Sequence, residues 1–262
     1  MWKYAFTAAL MMLGVSCSST LTPDQSALSN VDKHARVRDM PVAWDSPNIY
    51  EKYDPKGKSA LKKSWTRKFD ASGISFNDKR TCTLVTRQHV VMARHYKRSV
   101  GEPVVLHDRR GWWCQRTITK SLDVYGDVAI GLLDEPVPAS YKVYPLLVAE
   151  PKLEESLLGE LVIVTDQNRR LFVHEVASVR GTNIRFTFDE KKQIGFGKRL
   201  VSGDSGNPSF VIVGGEPVLI ETHTTGGWGA GPFYGSALLQ QKLEEAIRAL
   251  GAGGSLRTVR WQ

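Results

Sequence analysis

Three residues of this chain stand in contexts suited to nucleophilic chemistry: Ser205, His95 and Asp127. Ser205 lies in Ser202-Gly-Asp-Ser-Gly-Asn-Pro208. Gly203 and Gly206 let the backbone bend sharply there and turn its amides toward a bound group. A serine hydroxyl is a poor nucleophile at neutral pH and needs a base within hydrogen-bond reach. His95 can be that base. It ends the stretch Cys82-Thr-Leu-Val-Thr-Arg-Gln-His-Val-Val-Met-Ala-Arg-His95, which reads as strand, polar turn and strand. Asp127 heads the apolar run Val128-Ala-Ile-Gly-Leu-Leu133. A carboxylate entering a buried strand needs a partner, because an unpaired buried charge is costly. Asp123 is the rival, and Asp127 is preferred because it directly precedes the apolar run. Hydroxyl, imidazole and carboxylate in these roles are the parts of an acyl-transfer site.

These segments together resemble the chymotrypsin/trypsin-like serine peptidases. Val90-Val-Met-Ala-Arg-His95 resembles the family's Val-Val-x-Ala-Ala-His. Gly126-Asp-Val-Ala-Ile-Gly-Leu132 resembles its Asp-Ile-Ala-Leu-Leu strand, and Gly203-Asp-Ser-Gly-Asn-Pro208 its Gly-Asp-Ser-Gly-Gly-Pro. The order His, Asp, Ser is the family's, and the short gaps between them resemble compact bacterial members. The resemblance covers roughly residues 65 to 240 and implies an all-β fold. That fold is two six-stranded antiparallel β-barrels of chymotrypsin type with a C-terminal α-helix. It also implies roles: Ser205 as nucleophile, His95 as base, Asp127 as the acid that orients it, and the Gly203 and Ser205 amides as an oxyanion hole. An α/β-hydrolase reading fails, because Asn207 stands where its elbow needs glycine and its triad runs Ser, acid, His.

The departures from the family pattern are informative. Tyr96 follows His95 where animal members carry cysteine, so the short disulfide from the Cys82 position is missing. In an exported protein Cys82 and Cys114 can pair instead, although spacing alone does not fix their distance. Asn207 and Arg94 replace small residues beside Ser205 and His95. No Ile-Val-Gly-Gly precedes His95 to supply an activating terminus for Asp204; the one such run, Ile212-Val-Gly-Gly215, lies beyond Ser205. The resemblance to bacterial members implies that an internal Arg or Lys pairs with Asp204 instead.

For substrate preference the resemblance points to Arg199 at the base of the side-chain pocket. It makes the strand carrying Thr222, His223 and Thr224 the pocket wall. A cationic Arg199 or a His223 donor would favour an acidic residue before the cut. The alternative puts Arg199 in solvent and His223 at the rim. His89 reads as structural, and His34, His107 and His174 as surface residues.

The elements that must position these groups are short and β-rich. Pro103–Leu106, Thr117–Thr119, Leu161–Val164, Ile184–Phe188 and Ser209–Val213 are apolar runs separated by turn residues, the spacing of a sandwich or barrel. Ser236 to Leu250 predicts an amphipathic helix with Leu238, Leu239, Leu243, Ile247 and Leu250 on one face, Ser236 as N-cap and Gly251 as stop.

Met1-Trp-Lys3 followed by apolar Tyr4 to Val15 reads as an export signal, too short to span a membrane. Leu13-Gly-Val-Ser-Cys17 resembles a bacterial lipoprotein box, which implies a membrane tether through a lipid on Cys17. The expected organisation is a signal over 1–17, a linker or arm over 18–62, the domain over 63–252 and a tail over 253–262. The formal net charge is +8, but the excess is spread along the chain, so no nucleic-acid partner is expected. An anionic cell envelope is the better partner for that charge. No metal or cofactor signature occurs. The reading is a monomeric exported endopeptidase, periplasmic, envelope-bound or secreted, acting on protein or peptide. The alternative is a binding or scaffold protein on the same fold.

Overall fold

The computed structural model describes residues 46–188 and 197–261. The signal-like segment, Cys17 and His34 lie outside them. Described structure begins within the stretch whose composition suggested a loose arm. There β1 (Tyr50–Lys52) pairs antiparallel with β2 (Ala60–Leu61), and Ile49 and Tyr50 are buried in the main core.

Two six-stranded antiparallel sheets, each curled nearly into a barrel, make up most of the chain. The first contains β3 (Ile74–Ser75), β4 (Cys82–Leu84), β5 (His89–Ala93), β6 (Pro103–His107), β7 (Trp113–Tyr125) and β8 (Val128–Leu133). Their order is β3-β4-β5-β8-β7-β6. Every residue of β5 and β8 is buried, which is why both read as continuous apolar runs rather than alternating ones. The Val105 amide of β6 donates to Ser75 Oγ (3.2 Å) and Asn77 Oδ1 (3.0 Å), bringing the open edges together.

β9 (Leu146–Leu147) and the short α1 (Leu153–Ser156) lead into the second sheet. It is built from β10 (Leu161–Thr165), β11 (Leu171–Arg180), β12 (Asn183–Thr187), β13 (Pro208–Val213), β14 (Glu216–Thr222) and β15 (Ala230–Pro232). Their order is β14-β13-β10-β11-β12-β15. One core cluster joins the two sheets: Val91, Val128 and Ile130 of the first share it with Ile163, Phe210 and Leu219 of the second.

The helix α2 (Ala237–Leu250) closes this core with Leu239, Leu243, Ala246, Ile247 and Leu250. Leu238, expected on that face, is 42% exposed, and Ala246 takes the inward place. Ser236 precedes the helix in extended conformation but its hydroxyl makes no capping bond. Gly251 stops it at φ 86°, a conformation favouring glycine. Beyond it the expected tail returns to the body, where β16 (Thr258–Val259) pairs parallel with β9.

Cys82 and Cys114 are free thiols, so the bridge that the sequence allowed is absent. They lie on β4 and β7, with β5 and β8 between them in the sheet. Both nevertheless pack in or against the apolar cluster of the first sheet. Burial raises the pKa of both thiols above the ordinary value. His107 and His174 are also buried, at 2% and 1% exposure, where surface positions were expected. Nε2 of His107 is held by the carbonyls of Asp54 (2.9 Å) and Gly57 (3.2 Å).

The segment just after His95 is fixed by a buried cation. Arg98, 1% exposed, donates to the carbonyls of Arg80 (2.6 Å), Pro103 (2.5 Å) and Ser75 (3.3 Å) and to Asn77 Oδ1 (2.7 Å). These acceptors are uncharged, so carbonyl dipoles stabilise the guanidinium. Arg98→Met would remove one donor from all four oxygens at once. We expect it to cost about 3 kcal/mol in urea unfolding at pH 7. A loss under about 1 kcal/mol would show that Arg98 is no clamp.

Candidate active site

The first sheet presents His95 and Asp127 side by side. β5 and β8 pair through Ala93 and Val128, and the Arg94 amide donates to the Asp127 carbonyl at 2.9 Å. Asp127 sits in the tight turn joining β7 to β8, where Gly126 has φ 54°. That turn aims the carboxylate at the single 3₁₀ turn Arg94–Tyr96 after β5. Asp127 Oδ1 accepts the His95 amide (2.9 Å) and Oδ2 lies 2.6 Å from His95 Nδ1. Two bonds from one carboxylate set both the backbone and the ring of the histidine. Asp123 is instead paired with Lys97.

The second sheet brings Ser205 to the other ring nitrogen. His95 Nε2 and Ser205 Oγ are 3.0 Å apart. With the Nδ1 proton donated to Asp127, Nε2 is free to accept the hydroxyl proton. The His95 side chain is 48% exposed, so the group opens to solvent and to an approaching molecule.

The loop holding Ser205 is shaped around Asp204, which is 1% exposed. Gly203 and Gly206, at φ 93° and 82°, make the bends that would be strained with another residue. The missing cation is Lys198: its Nζ lies 3.1 Å from Asp204 Oδ2 and 2.7 Å from buried Asp166 Oδ2. Asp204 Oδ2 also accepts the Val201 amide (2.9 Å), and Oδ1 the Gln167 amide (3.1 Å). Arg170 supplies the second positive charge, holding Asp166 through Nε (3.0 Å) and Nη2 (2.7 Å). Two buried carboxylates and two cations therefore balance beneath the loop.

Among the described residues, the amides of Gly203 and Ser205 donate to no protein acceptor. Gln167 helps to set the first of them. Its Nε2 donates to the Ser202 carbonyl at 3.1 Å. In a trans peptide the N–H points away from the C=O, so this bond turns the Gly203 N–H to the opposite side. A Cβ on Gly203 would lie 2.6 Å from Gln167 Oε1, so any larger residue would displace the side-chain amide that sets this peptide.

Asn207, flagged as a departure beside Ser205, ties the loop to the first sheet. Its Oδ1 accepts from Thr81 Oγ1 (3.0 Å) while Nδ2 donates to the Asp204 carbonyl (3.0 Å). Sequence reading did not find Gln167, Arg98, the tying role of Asn207 or the choice of Lys198. The one legible signal was that Asp204 needed a cation.

The residues assigned to substrate binding do not converge. His223 is buried, with Nδ1 against Glu221 (3.1 Å to Oε1) and Nε2 donating to the Thr165 carbonyl (3.2 Å). It is therefore not at a rim. Its backbone brackets the Ser205 loop through bonds with Gly206 and Asn207. Alternation along β14 puts Glu221 and His223 on one face, and that pairing was readable in advance. The Thr222 hydroxyl meets Tyr234 (3.0 Å) and that of Thr224 donates to the Ala230 carbonyl (3.2 Å). Arg199 is exposed, stacked over Trp228 at 5.2 Å. His89 is a structural residue, its Nδ1 2.7 Å from Thr86 Oγ1.

Taken together, the geometry can move a proton from Ser205 to His95 and leaves the Gly203 and Ser205 amides without a protein acceptor. Among the described residues no cluster of side chains could hold a metal ion. No protein-family model matches the chain, and no curated protein does.

Two predictions follow from the buried charges. Lys198→Met would leave Asp204 and Asp166 with one cation between them and should cost about 3 kcal/mol at pH 7. Adding Asp204→Asn should recover part of that loss in a double-mutant cycle. Strict additivity would show that the two do not interact.

His174 tests the acid side. Burial holds its pKa down at about 4. Its Nδ1 donates to the Trp228 carbonyl (2.7 Å) and Nε2 accepts the Lys198 amide (3.2 Å). Between an unfolded value of about 6.5 and that folded value, only the unfolded chain binds the proton. Its contribution is thus whole above pH 6.5 and is lost as pH falls toward 4. Unfolding midpoints measured across this window should decline less steeply in His174→Gln than in the wild type. Equal slopes would contradict this assignment.

Proposed function

We propose that this chain is an exported serine endopeptidase with a chymotrypsin-type two-barrel fold. The observation that carries the reading is the 3.0 Å approach of His95 Nε2 to Ser205 Oγ, with Asp127 bonded behind the ring. Antiparallel six-stranded sheets, each curled nearly into a barrel and each delivering part of the site, support the fold assignment.

In this mechanism Ser205 Oγ bonds to the carbonyl carbon of a peptide as its proton passes to His95 Nε2. The carbonyl electron pair moves onto oxygen, where the Gly203 and Ser205 amides receive the negative charge. Each such donor is worth about 3 kcal/mol in comparable sites. Asp127 keeps Nδ1 protonated and stabilises the imidazolium. Collapse breaks the C–N bond, and the leaving amine takes the proton from Nε2. Water then repeats the sequence on the acyl-serine, with His95 again as base, and frees the acid and Ser205.

Gln167 and Lys198 act at one remove, keeping the loop in its bonded shape. The Tyr4–Val15 stretch supports export, and Cys17 in its lipoprotein-like box supports a membrane tether. Among the described residues no helix is long and apolar enough to cross a membrane.

Hydrolysis of an unfolded protein or a mixed peptide library tests this function. Ser205→Ala and His95→Ala should each lower kcat by about 10⁴-fold or more, and Asp127→Asn by about 10⁴-fold, with unfolding midpoints little changed. Cleavage that survives Ser205→Ala would reject the proposed nucleophile. A wild-type chain that folds but cuts nothing would favour the binding-protein alternative.

A further inference from the structure

We propose that the tip of the β6–β7 hairpin is a docking surface for an anionic phospholipid bilayer. This inference does not rest on the peptidase reading. Trp112 and Trp113 are adjacent at the tip and remain 51% and 42% exposed. Large aromatic rings at that exposure are unusual on a protein that buries Trp65 to 1%.

The turn presenting them is rigid. Asp108, with its side chain only 5% exposed, accepts the Arg110 (2.8 Å) and Trp112 (2.9 Å) amides on Oδ1. The Asp108 amide donates to the Trp112 carbonyl (2.8 Å), which also accepts from Tyr141 Oη (2.9 Å). Gly111, at φ 82°, presses so closely on β2's approach that a Cβ would lie 1.9 Å from the Ser59 carbonyl. A buried polar scaffold thus holds two apolar rings in solvent. Internal packing does not explain that placement, whereas an external apolar phase does.

Charge complementarity selects the partner. The basic run between Lys56 and Lys68 folds against this tip. Arg67 Nη1 donates to the Arg109 carbonyl at 2.7 Å, and Lys58 Nζ lies 4.4 Å above the Trp112 ring. Arg109 and Arg110 are exposed beside the rings. The carboxylate at the turn, Asp108, is spent on backbone amides and on Arg110, so the surface is cationic.

Tryptophan settles at the headgroup level of bilayers, with its ring in apolar contact and its N–H in the polar layer. Arginine binds phosphate through paired donors. Both exposed rings sit at the projecting end of a hairpin, a placement suited to a soft, flat surface rather than a groove. β7 carries the chain from Trp113 to the turn bearing Asp127, about 40 Å along the strand at about 3.3 Å per residue. Docking at this tip therefore engages the end of β7 opposite the one that leads to Asp127.

The test uses the full chain with phosphatidylcholine vesicles, with or without phosphatidylglycerol, carrying brominated acyl chains that quench tryptophan. The apolar Tyr4–Val15 stretch can itself enter lipid. The readout is therefore the quenching in wild type minus that in Trp112→Ala/Trp113→Ala, which reports these two rings alone. We expect a difference on the anionic vesicles, little on the neutral ones, and its loss in high salt. Arg109→Gln/Arg110→Gln should weaken the response by about 25-fold, about fivefold for each charge removed. Unchanged unfolding midpoints in both variants keep the comparison clean. Rings left unquenched on anionic vesicles, or quenched equally on neutral ones, would overturn the proposal. So would binding through the two rings to an acidic polysaccharide or protein but not to vesicles.

Discussion

A buried carboxylate governs this structure. Asp204 sits next to Ser205 almost without solvent, and a charge there must be answered from within the protein. Lys198 answers it in company with Asp166, and the Val201 and Gln167 amides complete its bonding. Asp166 in turn organises the 166–170 turn, accepting the Asn168 and Arg170 amides, so that Gln167 can reach the Ser202 carbonyl. The position of Ser205 and the direction of the Gly203 amide both descend from that one constraint.

The second requirement is that two sheets meet in register. His95 and Asp127 come from one and Ser205 from the other. A slip of an ångström between them would break the 3.0 Å approach and with it any proton transfer. The shared core holds the sheets together, with Phe69 edge-on and Tyr144 tilted against Phe210 across the junction. At the rim Asn207 reaches Thr81, and Gly206 lies so near that a Cβ would stand 3.1 Å from the Thr81 carbonyl. Arg98 secures the chain immediately beyond His95. The site is thus held by a salt network on one side and by a dipole-solvated cation on the other.

Much of this was legible in the sequence because it is local. The runs at Leu161–Val164 and Ser209–Val213 appear as strands within a residue of their expected limits, since composition and turn residues specify them. Ser205, His95 and Asp127 were found through short motifs whose glycines and apolar neighbours serve the same local geometry. What escaped depends on pairing across long stretches of chain. Lys198 and Arg199 are neighbours of equal charge, and only the fold decides which turns inward. Cys82 and Cys114 count as a pair in sequence but lie on strands that two others separate in the sheet. His174 has no periodic signal that separates it from a surface residue. Its burial follows from β11 passing beneath Trp228, which lies 54 residues away. Leu238 fits the helical stripe by spacing but falls outside the arc that α2 turns to the core.

The central claim is that Ser205 is a nucleophile made reactive by His95. Its most direct measurement is covalent modification by a fluorophosphonate, read as added mass on the intact chain and located by peptide mapping. The account predicts one adduct, on Ser205, whose formation slows by orders of magnitude in His95→Ala. An unmodified Ser205 in the folded chain, or labelling that proceeds at the same rate without His95, would contradict it.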